Sequence, residues 1–224
     1  MFWWIKQRLG IMNQEIEIEI PEFDKSTLIM PFQMKDTSMC DELIEFYEND
    51  VYYKHPGGTI GDDYGGKKST DVNVWPTCTH PMIERYKNIL ADFCVTYFNF
   101  YEINISKLVM SEAFNIQHYK PGEGFPAEHF ERNGSFYFDR VLVFMTYLND
   151  VEDGGGTHFR LQNVTTKAEK GLTLIWPADF THVHNGIISP TEHKYIATGW
   201  FNYLCGVDSY FDGVRDQMRE QENV

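Results

Sequence analysis

The second half of the chain, from about residue 105, is a succession of short segments rich in Val, Ile, Phe, Tyr and Thr. Clusters of Gly, Pro and Asn separate these segments, so each is predicted to be a strand bounded by turns. The predicted strands cover residues 108–119, 141–148, 171–176, 182–184 and 194–203. A series of short strands in one region favours a sandwich or a barrel.

The first half of the chain has a different pattern, which predicts one strand and two helices. Residues 15–20 alternate Glu and Ile, as expected of a strand with one acidic, solvated face, and Pro21 ends the run. Apolar residues at helical spacing predict a helix over about 36–49 and another over about 81–97. Residues 54–71 are rich in glycine and charge and are predicted to form a long mobile loop.

Helices followed by strands predict an α+β fold. A length of 224 residues suits one domain. We therefore expect a single domain over residues 1–224, with helical and loop support over about 12–104. The β-core is expected over about 105–205, and a charged C-terminal tail over 206–224.

The chain is strongly acidic, with 33 Asp and Glu against 19 Lys and Arg and a net charge of −14. Nucleic acids and anionic membranes would be repelled, so we expect neither as a main partner. The four cysteines form no C-x-x-C pair, which is typical of a reduced cytosolic protein. Lys6 and Arg8 interrupt the apolar N-terminus, and no other stretch is apolar for the length of a membrane span. We expect a soluble, cytoplasmic protein.

Metal-capable side chains stand inside three strand-like, aromatic segments. His129 and Glu131 are two residues apart, so in an extended chain they point to one face, and the same holds for His182 and His184. Lys194 is the one cation at the start of a run that otherwise looks buried. A single histidine is more often a hydrogen-bonded core or surface residue. Together, however, a His-x-carboxylate pair and a distant histidine have the composition of the two-histidine, one-carboxylate site that suits Fe(II).

These segments resemble the Fe(II)- and 2-oxoglutarate-dependent dioxygenases, in particular the prolyl 4-hydroxylase-like branch. The resemblance covers about residues 111–201. Residues 117–122 (Gln-His-Tyr-Lys-Pro-Gly) are similar to the family's Q-x-Y-x-x-G. Residues 147–151 and 154–159 (Tyr-Leu-Asn-Asp-Val, Gly-Gly-Gly-Thr-His-Phe) are similar to its Y-L-N-D-V and G-G-x-T-x-F. Lys194 lies ten residues after His184, which is the family's count.

The resemblance implies a role for each matching residue. The iron ligands would be His129, Glu131 and His184. The groups that hold 2-oxoglutarate would be Lys194, which would meet the distal carboxylate, with Tyr119, Tyr147 and Thr198. The residues that contact the hydroxylated residue of the substrate would be Arg140 and Trp200.

The iron motif has one departure from the family pattern and one choice between two histidines. The family usually has Asp where this chain has Glu131; Glu is one methylene longer and can still ligate, but its strand must sit slightly further back. The count to Lys194 selects His184 over His182 as the second histidine ligand, so we expect His182 to support the site or to lie at the surface.

The resemblance implies a double-stranded β-helix, or jelly-roll, core with the N-terminal helices packed outside. The cofactor and cosubstrates would be Fe(II), 2-oxoglutarate and O₂, with ascorbate as a further ligand. The reaction would hydroxylate an unactivated C–H bond, with release of succinate and CO₂, and the family favours a prolyl residue in a peptide or protein. Residues 54–71 are expected to close over that substrate as a lid.

Three other functions stay open at this point. One is the hydroxylation of a small molecule or free amino acid by the same chemistry. Another is a binding module whose β-barrel has a degenerate metal site, although such a module has no need for a complete ligand set together with Lys194. The last is a metal-binding cupin or isomerase-type barrel, which gives no reason for a lysine at that position.

Overall fold

The computed structural model of the chain describes residues 17–49, 52–58, 66–105 and 107–203. Over these residues the architecture is mostly β, with two helices, α1 (Ser38–Glu48) and α2 (Pro81–Phe100). The strands in the first half are β1 (Ile18–Glu19), β2 (Met30–Met34), β3 (His55–Pro56) and β4 (Thr70–Val74). Those in the second half are β5 (Leu108–Val109), β6 (Phe114–Tyr119), β7 (Arg140–Tyr147), β8 (Thr157–Phe159), β9 (Val164–Thr165), β10 (Leu172–Pro177), β11 (His184–Gly186) and β12 (Lys194–Tyr203).

The described strands form two antiparallel sheets. The larger has nine strands, in the order β1-β2-β10-β7-β12-β6-β4-β3, and β5 pairs with β12 at its side. The smaller has the order β11-β8-β9. The two sheets touch where Phe159 of β8 meets Trp176 of β10, with ring centroids 5.2 Å apart.

Side chains alternate along the central strands, so the two faces of the large sheet have different neighbours. On β12, Ala197 and Phe201 are buried in the core that the sheet shares with the helices. Thr198 and Trp200 point the other way, into a cleft on the side of the small sheet. One face therefore carries the hydrophobic core and the other carries the polar groups that could do chemistry.

Helix α2 is fastened to the large sheet by aromatic side chains. It begins at Pro81, where a proline costs no helical hydrogen bond. Phe93 stacks on Phe32 of β2 with centroids 4.4 Å apart. The buried Tyr86 hydroxyl donates to Thr146 Oγ1 at 2.7 Å. These contacts fix the face of the sheet that lies behind the cleft.

Several predicted elements are confirmed. The two predicted helices are α1 and α2, and the predicted strand over residues 194–203 is β12. The predicted strands over 141–148 and 171–176 agree with β7 and β10 to within a residue. Only part of the predicted strand over 15–20 can be compared, as β1, because the first two of its residues lie outside the described ranges. The tail over 206–224 lies wholly outside them.

Three predictions are wrong in detail. The strand over 108–119 is two strands, because the chain between β5 and β6 leaves the sheet. The loop over 54–71 includes β3 and the start of β4, whose short strands are hidden among its glycines and charges. The strand over 182–184 is wrong in its first part, because residues 180–182 form a 3₁₀ turn and β11 begins only at His184. No described helix has both the length and the apolar character needed to cross a membrane.

Candidate metal centre and cosubstrate cleft

Two distant histidines meet through their backbones. His129 and His184 exchange N–H···O=C bonds, each 2.9 Å long, in an isolated antiparallel bridge. Their ring centroids are 4.4 Å apart. Two residues on, the Glu131 N–H donates to Ala178 O at 3.1 Å, which ties this segment to the end of β10. The backbone thus delivers all three predicted ligand residues to one place.

The carboxylate of Glu131 lies between the two imidazoles. Its Oε1 atom is 3.5 Å from Nε2 of His129 and 3.5 Å from Nε2 of His184. One ligand atom from each of the three residues lies within 4.8 Å of the others. Among the residues that the structure describes, this is the one group of His, Cys, Asp or Glu side chains with such a geometry.

Backbone carbonyls set which nitrogen of each imidazole is free. His129 Nδ1 lies 2.9 Å from Ala127 O, and His184 Nδ1 lies 2.8 Å from His182 O. Because a carbonyl oxygen only accepts, each Nδ1 donates its proton. With Nδ1 engaged in this way, the Nε2 atom of each ring faces Glu131 and is the nitrogen available to a metal ion, which is how histidine ligands are oriented in metal sites.

The environment sets the charge of the three groups. Burial would raise the pKa of the Glu131 carboxyl, but the adjacent His129 and His184 hold that pKa well below its usual range. Burial lowers the pKa of His184 despite the opposing effect of Glu131. An ionised carboxylate and an unprotonated imidazole are the forms that bind a cation. Two imidazole nitrogens and one carboxylate oxygen on one side of a cleft fit Fe(II).

Lys194 lines the same cleft, which has a volume of about 910 Å³. The residue is only 8% exposed, and its Nζ lies 5.5 Å and 5.4 Å from the ring centroids of Tyr119 and Tyr147. Burial lowers the pKa of Lys194 to about 8, and no carboxylate of the described residues offsets this effect. A buried ammonium group without a protein anion suits an anionic ligand.

The three remaining candidates for cosubstrate contact are not equivalent. Tyr119 and Thr198 line the cleft; the Tyr119 hydroxyl donates to Gln117 Oε1 at 2.6 Å, and Thr198 Oγ1 donates to Phe144 O at 3.1 Å. Tyr147 is absent from the described lining. Its hydroxyl lies 2.8 Å from Thr157 Oγ1, and Thr157 does line the cleft. Tyr147 therefore lies behind the cleft wall, where it contacts Thr157 and packs next to Lys194.

Arg140 and Trp200 lie beside the triad. The guanidinium carbon of Arg140 is 3.8 Å from the ring centroid of Tyr137 and 3.5 Å from that of Trp200, so the two rings cover its opposite faces. Its Nε and Nη2 atoms donate to the two carboxylate oxygens of Glu112 at 2.8 Å and 2.5 Å. Its Nη1 atom donates to Glu131 O at 3.0 Å. The donors of Arg140 are thus largely engaged by protein groups.

His182 supports the site from behind. It is buried, with Nε2 2.9 Å from Thr27 O, and its own carbonyl oxygen accepts from His184 Nδ1. Its carbonyl oxygen thus orients His184, while its side chain bonds Thr27 outside the cleft; the alternative surface position is wrong. The expectation that His182 and His184 share one face is also wrong, because the 3₁₀ turn before β11 rotates the first imidazole away.

Sequence reasoning missed several residues of the cleft. Glu112 lies in the break between β5 and β6, where the strand pattern gave no reason to expect a break. Trp176, in the predicted strand over 171–176, lies 5.2 Å from the His184 ring, and its alternation with Leu174 was the available signal. The buried pair of Lys67 and Asp71, with Nζ and Oδ2 2.8 Å apart, lines the cleft from the segment that was predicted to be a loop.

The comparisons with known proteins agree with this geometry. Residues 114–202 match the model of the 2OG-Fe(II) oxygenase superfamily. The matched segment is less than half of the chain and contains the triad and Lys194, so the match supports a 2OG-Fe(II) oxygenase. Together with the relatives named below, it supports an enzyme of the prolyl 4-hydroxylase-like type, and the matched family uses Fe(II), 2-oxoglutarate and O₂. A curated relative, a putative prolyl 4-hydroxylase of Acanthamoeba polyphaga mimivirus, is 23% identical over 173 residues, which are 72% of this chain and 68% of the relative.

Two solved structures show the same fold. The viral collagen prolyl hydroxylase of Paramecium Bursaria Chlorella virus-1 superposes with a TM-score of 0.59 and 18% identity, over 79% of this chain and 97% of that one. A prolyl hydroxylase from Trichoplax adhaerens, in complex with a hypoxia inducible factor peptide fragment, superposes with a TM-score of 0.61 and 15% identity. That match covers 80% of this chain and 84% of the other.

Proposed function

We propose that the protein hydroxylates a prolyl residue of a peptide or protein, with Fe(II) held by His129, Glu131 and His184. The observation that supports this most is that the triad and the buried Lys194 lie in one cleft. Bound there, Fe(II) and 2-oxoglutarate would supply the oxidising chemistry with O₂ as the oxidant: one oxygen atom of O₂ would enter the C–H bond, and the other would enter succinate as 2-oxoglutarate loses CO₂. In this proposal the two sheets form the jelly-roll core.

The residues of the chain bind and orient in this reaction. The ammonium group of Lys194 pairs with the distal carboxylate of 2-oxoglutarate, and the Tyr119 hydroxyl and Thr198 flank that carboxylate. Tyr147 limits water around the ion pair, because its ring covers Lys194 on one side. Arg140 and Trp200 border the space in which the target residue would lie.

The mouth of the cleft favours a peptide substrate. Trp75 and Tyr137 line it, and Phe136 and Phe138, on either side of Tyr137, are 82% and 62% exposed. Exposed aromatic side chains at the edge of a cleft are typical of a binding surface rather than of free solvent contact. The relatives named above include prolyl hydroxylases with collagen and peptide substrates in their names, which supports the same class.

A free amino acid is the second candidate substrate. The observation in its favour is the buried Lys67–Asp71 ion pair in the cleft, whose two charges could instead pair with the carboxylate and ammonium groups of a zwitterion. Ser69 also donates to Asp71 Oδ1 at 2.7 Å, so the pair is organised without a ligand.

A direct assay separates the two candidates. The purified protein is incubated with Fe(II), 2-oxoglutarate, ascorbate and O₂, and with either proline-containing peptides or free proline. Peptide hydroxylation predicts a mass gain of one oxygen atom on a prolyl residue, with one succinate per product. Hydroxylation of free proline alone would favour the second candidate. Succinate without any hydroxylated product, or the same product yield from Glu131→Ala, would overturn the proposal.

Three further expectations remain proposals. We propose a cytoplasmic location, because Cys40 and Cys94 are buried free thiols of the kind expected in a reducing compartment. Ascorbate is proposed as a reductant on the family resemblance alone. The lid over residues 54–71 also stays a prediction; His55 and Lys67, near its ends, line the cleft, and its centre lies outside the described residues.

A further inference from the structure

We propose that Glu112, Arg140 and Trp200 are positioning residues that hold the Glu131 side chain so that one of its oxygens always faces the two imidazoles. This inference rests on the metal site of the proposed function. It concerns a feature that distinguishes this chain, since Glu stands where related enzymes usually have Asp. It also gives Arg140 and Trp200 a role different from substrate contact.

The two oxygens of Glu131 have separate partners. Oε1 faces Nε2 of His129 and of His184, each at 3.5 Å. Oε2 accepts a hydrogen bond of 3.0 Å from the indole Nε1 of Trp200. The indole N–H can only donate, so it selects which oxygen turns away from the imidazoles. Trp200 thereby sets the rotation of the carboxylate about its terminal bond.

Arg140 holds the other end of the same residue. Its Nη1 atom donates to the backbone oxygen of Glu131 at 3.0 Å and lies 3.5 Å from Oε2. A positive charge at that position stabilises the ionised carboxylate. Since Arg140 also packs face to face on the Trp200 ring at 3.5 Å, the two donors to Glu131 support each other.

Glu112 keeps Arg140 in place. It binds the guanidinium through both carboxylate oxygens, and its Oε1 also accepts from Asn202 Nδ2 at 2.9 Å. Two parallel hydrogen bonds of this kind fix the plane of a guanidinium as well as its position. Glu112 therefore acts on Glu131 through Arg140, without contacting the triad itself.

A β-bulge brings Arg140 to the cleft side of the sheet. On β7, Val143 and Met145 face the small sheet, so regular alternation would send Val141 the same way and Arg140 to the helix side. The register between β7 and β12 shifts at Phe201 and Asn202, and Asn202 pairs with Arg140. The extra residue turns Arg140 into the cleft, as bulges near active sites often do. The bulge in β7 therefore places the Arg140 side chain next to the Glu131 carboxylate.

The additional length of Glu explains why such support is needed. Glu has one more rotatable bond than Asp, so a free Glu side chain loses more conformational entropy when it is fixed on a metal. Hydrogen bonds that hold the carboxylate before the metal binds remove part of that cost. Groups that orient metal ligands in this way typically change metal affinity about 10–100-fold when they are removed.

A double-mutant cycle on Mn(II) affinity tests the inference without turnover. Mn(II) binding to the full chain is measured for wild type, Trp200→Phe, Glu131→Asp and the double variant. In the Glu background, Trp200→Phe is expected to weaken binding about tenfold. In the Asp background, the shorter carboxylate no longer reaches the indole, so the same substitution is expected to cost less than about twofold. Tyr53→Phe, at an aromatic side chain that is 82% exposed and does not line the cleft, is the control and is expected to leave Mn(II) affinity unchanged.

A second cycle keeps Glu131 intact, in case the Asp variants bind too weakly to measure. Glu112→Gln is expected to weaken Mn(II) binding, and Glu112→Gln with Trp200→Phe is expected to cost less than the product of the two single effects, because both act on one carboxylate. Arg140→Lys tests the fixed plane of the guanidinium and is expected to behave like Glu112→Gln. Thermal unfolding of the metal-free variants separates a general loss of stability from a change at the site.

The outcomes distinguish this inference from the proposed function. If wild type binds no Mn(II), the metal site and everything built on it are wrong. If wild type binds Mn(II) and Trp200→Phe has the same effect in the Glu and Asp backgrounds, or Glu112→Gln has no effect, the positioning role is wrong while the metal site stands.

Discussion

His129 and His184, 55 positions apart in the sequence, are joined by two reciprocal backbone hydrogen bonds of 2.9 Å. This bridge places both imidazoles next to the Oε1 atom of Glu131, and each ring is also held through Nδ1 by a backbone carbonyl. The backbone therefore brings the ligand residues together, and neighbouring side chains orient the Glu131 carboxylate.

The two histidines of the segment around β11 are expected to respond differently to substitution. His184→Ala removes a donor atom and should weaken Mn(II) binding by more than the roughly 10–100-fold typical of a supporting residue. His182→Ala removes only the side chain that bonds Thr27 O, so it should lower the free energy of unfolding by about 1–2 kcal/mol and leave metal affinity within twofold. Calorimetric titration measures the Mn(II) affinity of each variant, and chemical denaturation measures its free energy of unfolding. Equal loss of metal affinity in the two variants would contradict the assignment.

The affinity for 2-oxoglutarate is expected to fall at high pH. Burial lowers the pKa of Lys194 to about 8, so the free protein loses this charge as the pH rises through 8. A bound carboxylate requires the charged form, and the dissociation constant should therefore be nearly flat below pH 7.5 and rise about tenfold by pH 9. Titration of the Mn(II)-loaded protein with 2-oxoglutarate at several pH values measures this dissociation constant. Lys194→Arg keeps its charge and should show no such rise, and a rise in that variant would assign the effect to another group.

The buried charge of Lys194 is also expected to lower the free energy of unfolding of the protein without 2-oxoglutarate. Its pKa is about 8 when folded against 10.5 for an ordinary lysine, so the unfolded chain binds more protons between pH 8 and 10.5. The free energy of unfolding should thus rise across that range. Lys194→Met should raise it by about 1–3 kcal/mol at pH 7 and abolish 2-oxoglutarate binding.

An exposed lysine provides the control for this substitution. The Lys68 side chain is 73% exposed and pairs with Glu123 at 3.2 Å. Lys68→Met should change the free energy of unfolding by less than about 0.5 kcal/mol. If Lys194→Met destabilised the protein instead, the ammonium group would have to be satisfied by the protein itself, and its assignment to an external anion would lose its basis.

Gly156, the last of three consecutive glycines before β8, is expected to be sensitive to replacement by a larger residue. A Cβ at Gly156 would overlap the backbone oxygen of Thr166, and a backbone neighbour cannot move aside easily. Gly156→Ala should therefore lower the melting temperature clearly. Gly58→Ala is the matched control, because nothing lies within 4 Å of its added Cβ. Similar melting temperatures for the two variants would contradict the close packing of β8.

Much of the site could be predicted from the sequence because its residues stand in patterns of local spacing. The pair His129 and Glu131 and the count from His184 to Lys194 are local features, and the structure brings all four side chains to one cleft. The strand β12 was equally readable, because its run of β-branched and aromatic residues has no internal cluster of Gly, Pro or Asn over residues 194–203. These are cases in which local propensity and the final fold agree.

The placement of other residues at the site depends on interruptions that a periodic pattern does not reveal. Arg140 reaches the cleft only because of the bulge opposite Phe201 and Asn202, and Glu112 meets it only because the strand breaks before β6. Likewise, the 3₁₀ turn before β11 separates the directions of His182 and His184. Each such break is set by tertiary pairing, so the sequence alone offered no basis for choosing it.

The most direct test of the central claim is an anaerobic titration followed by visible absorption. Fe(II) is added to the metal-free protein, and then 2-oxoglutarate, while the weak charge-transfer band of the chelate is recorded. The account predicts a band that saturates at one 2-oxoglutarate per protein and that is weakened strongly in both Glu131→Ala and Lys194→Ala. A protein that binds Fe(II) and 2-oxoglutarate with no band, or an unchanged band in both variants, would contradict the assignment of this cleft.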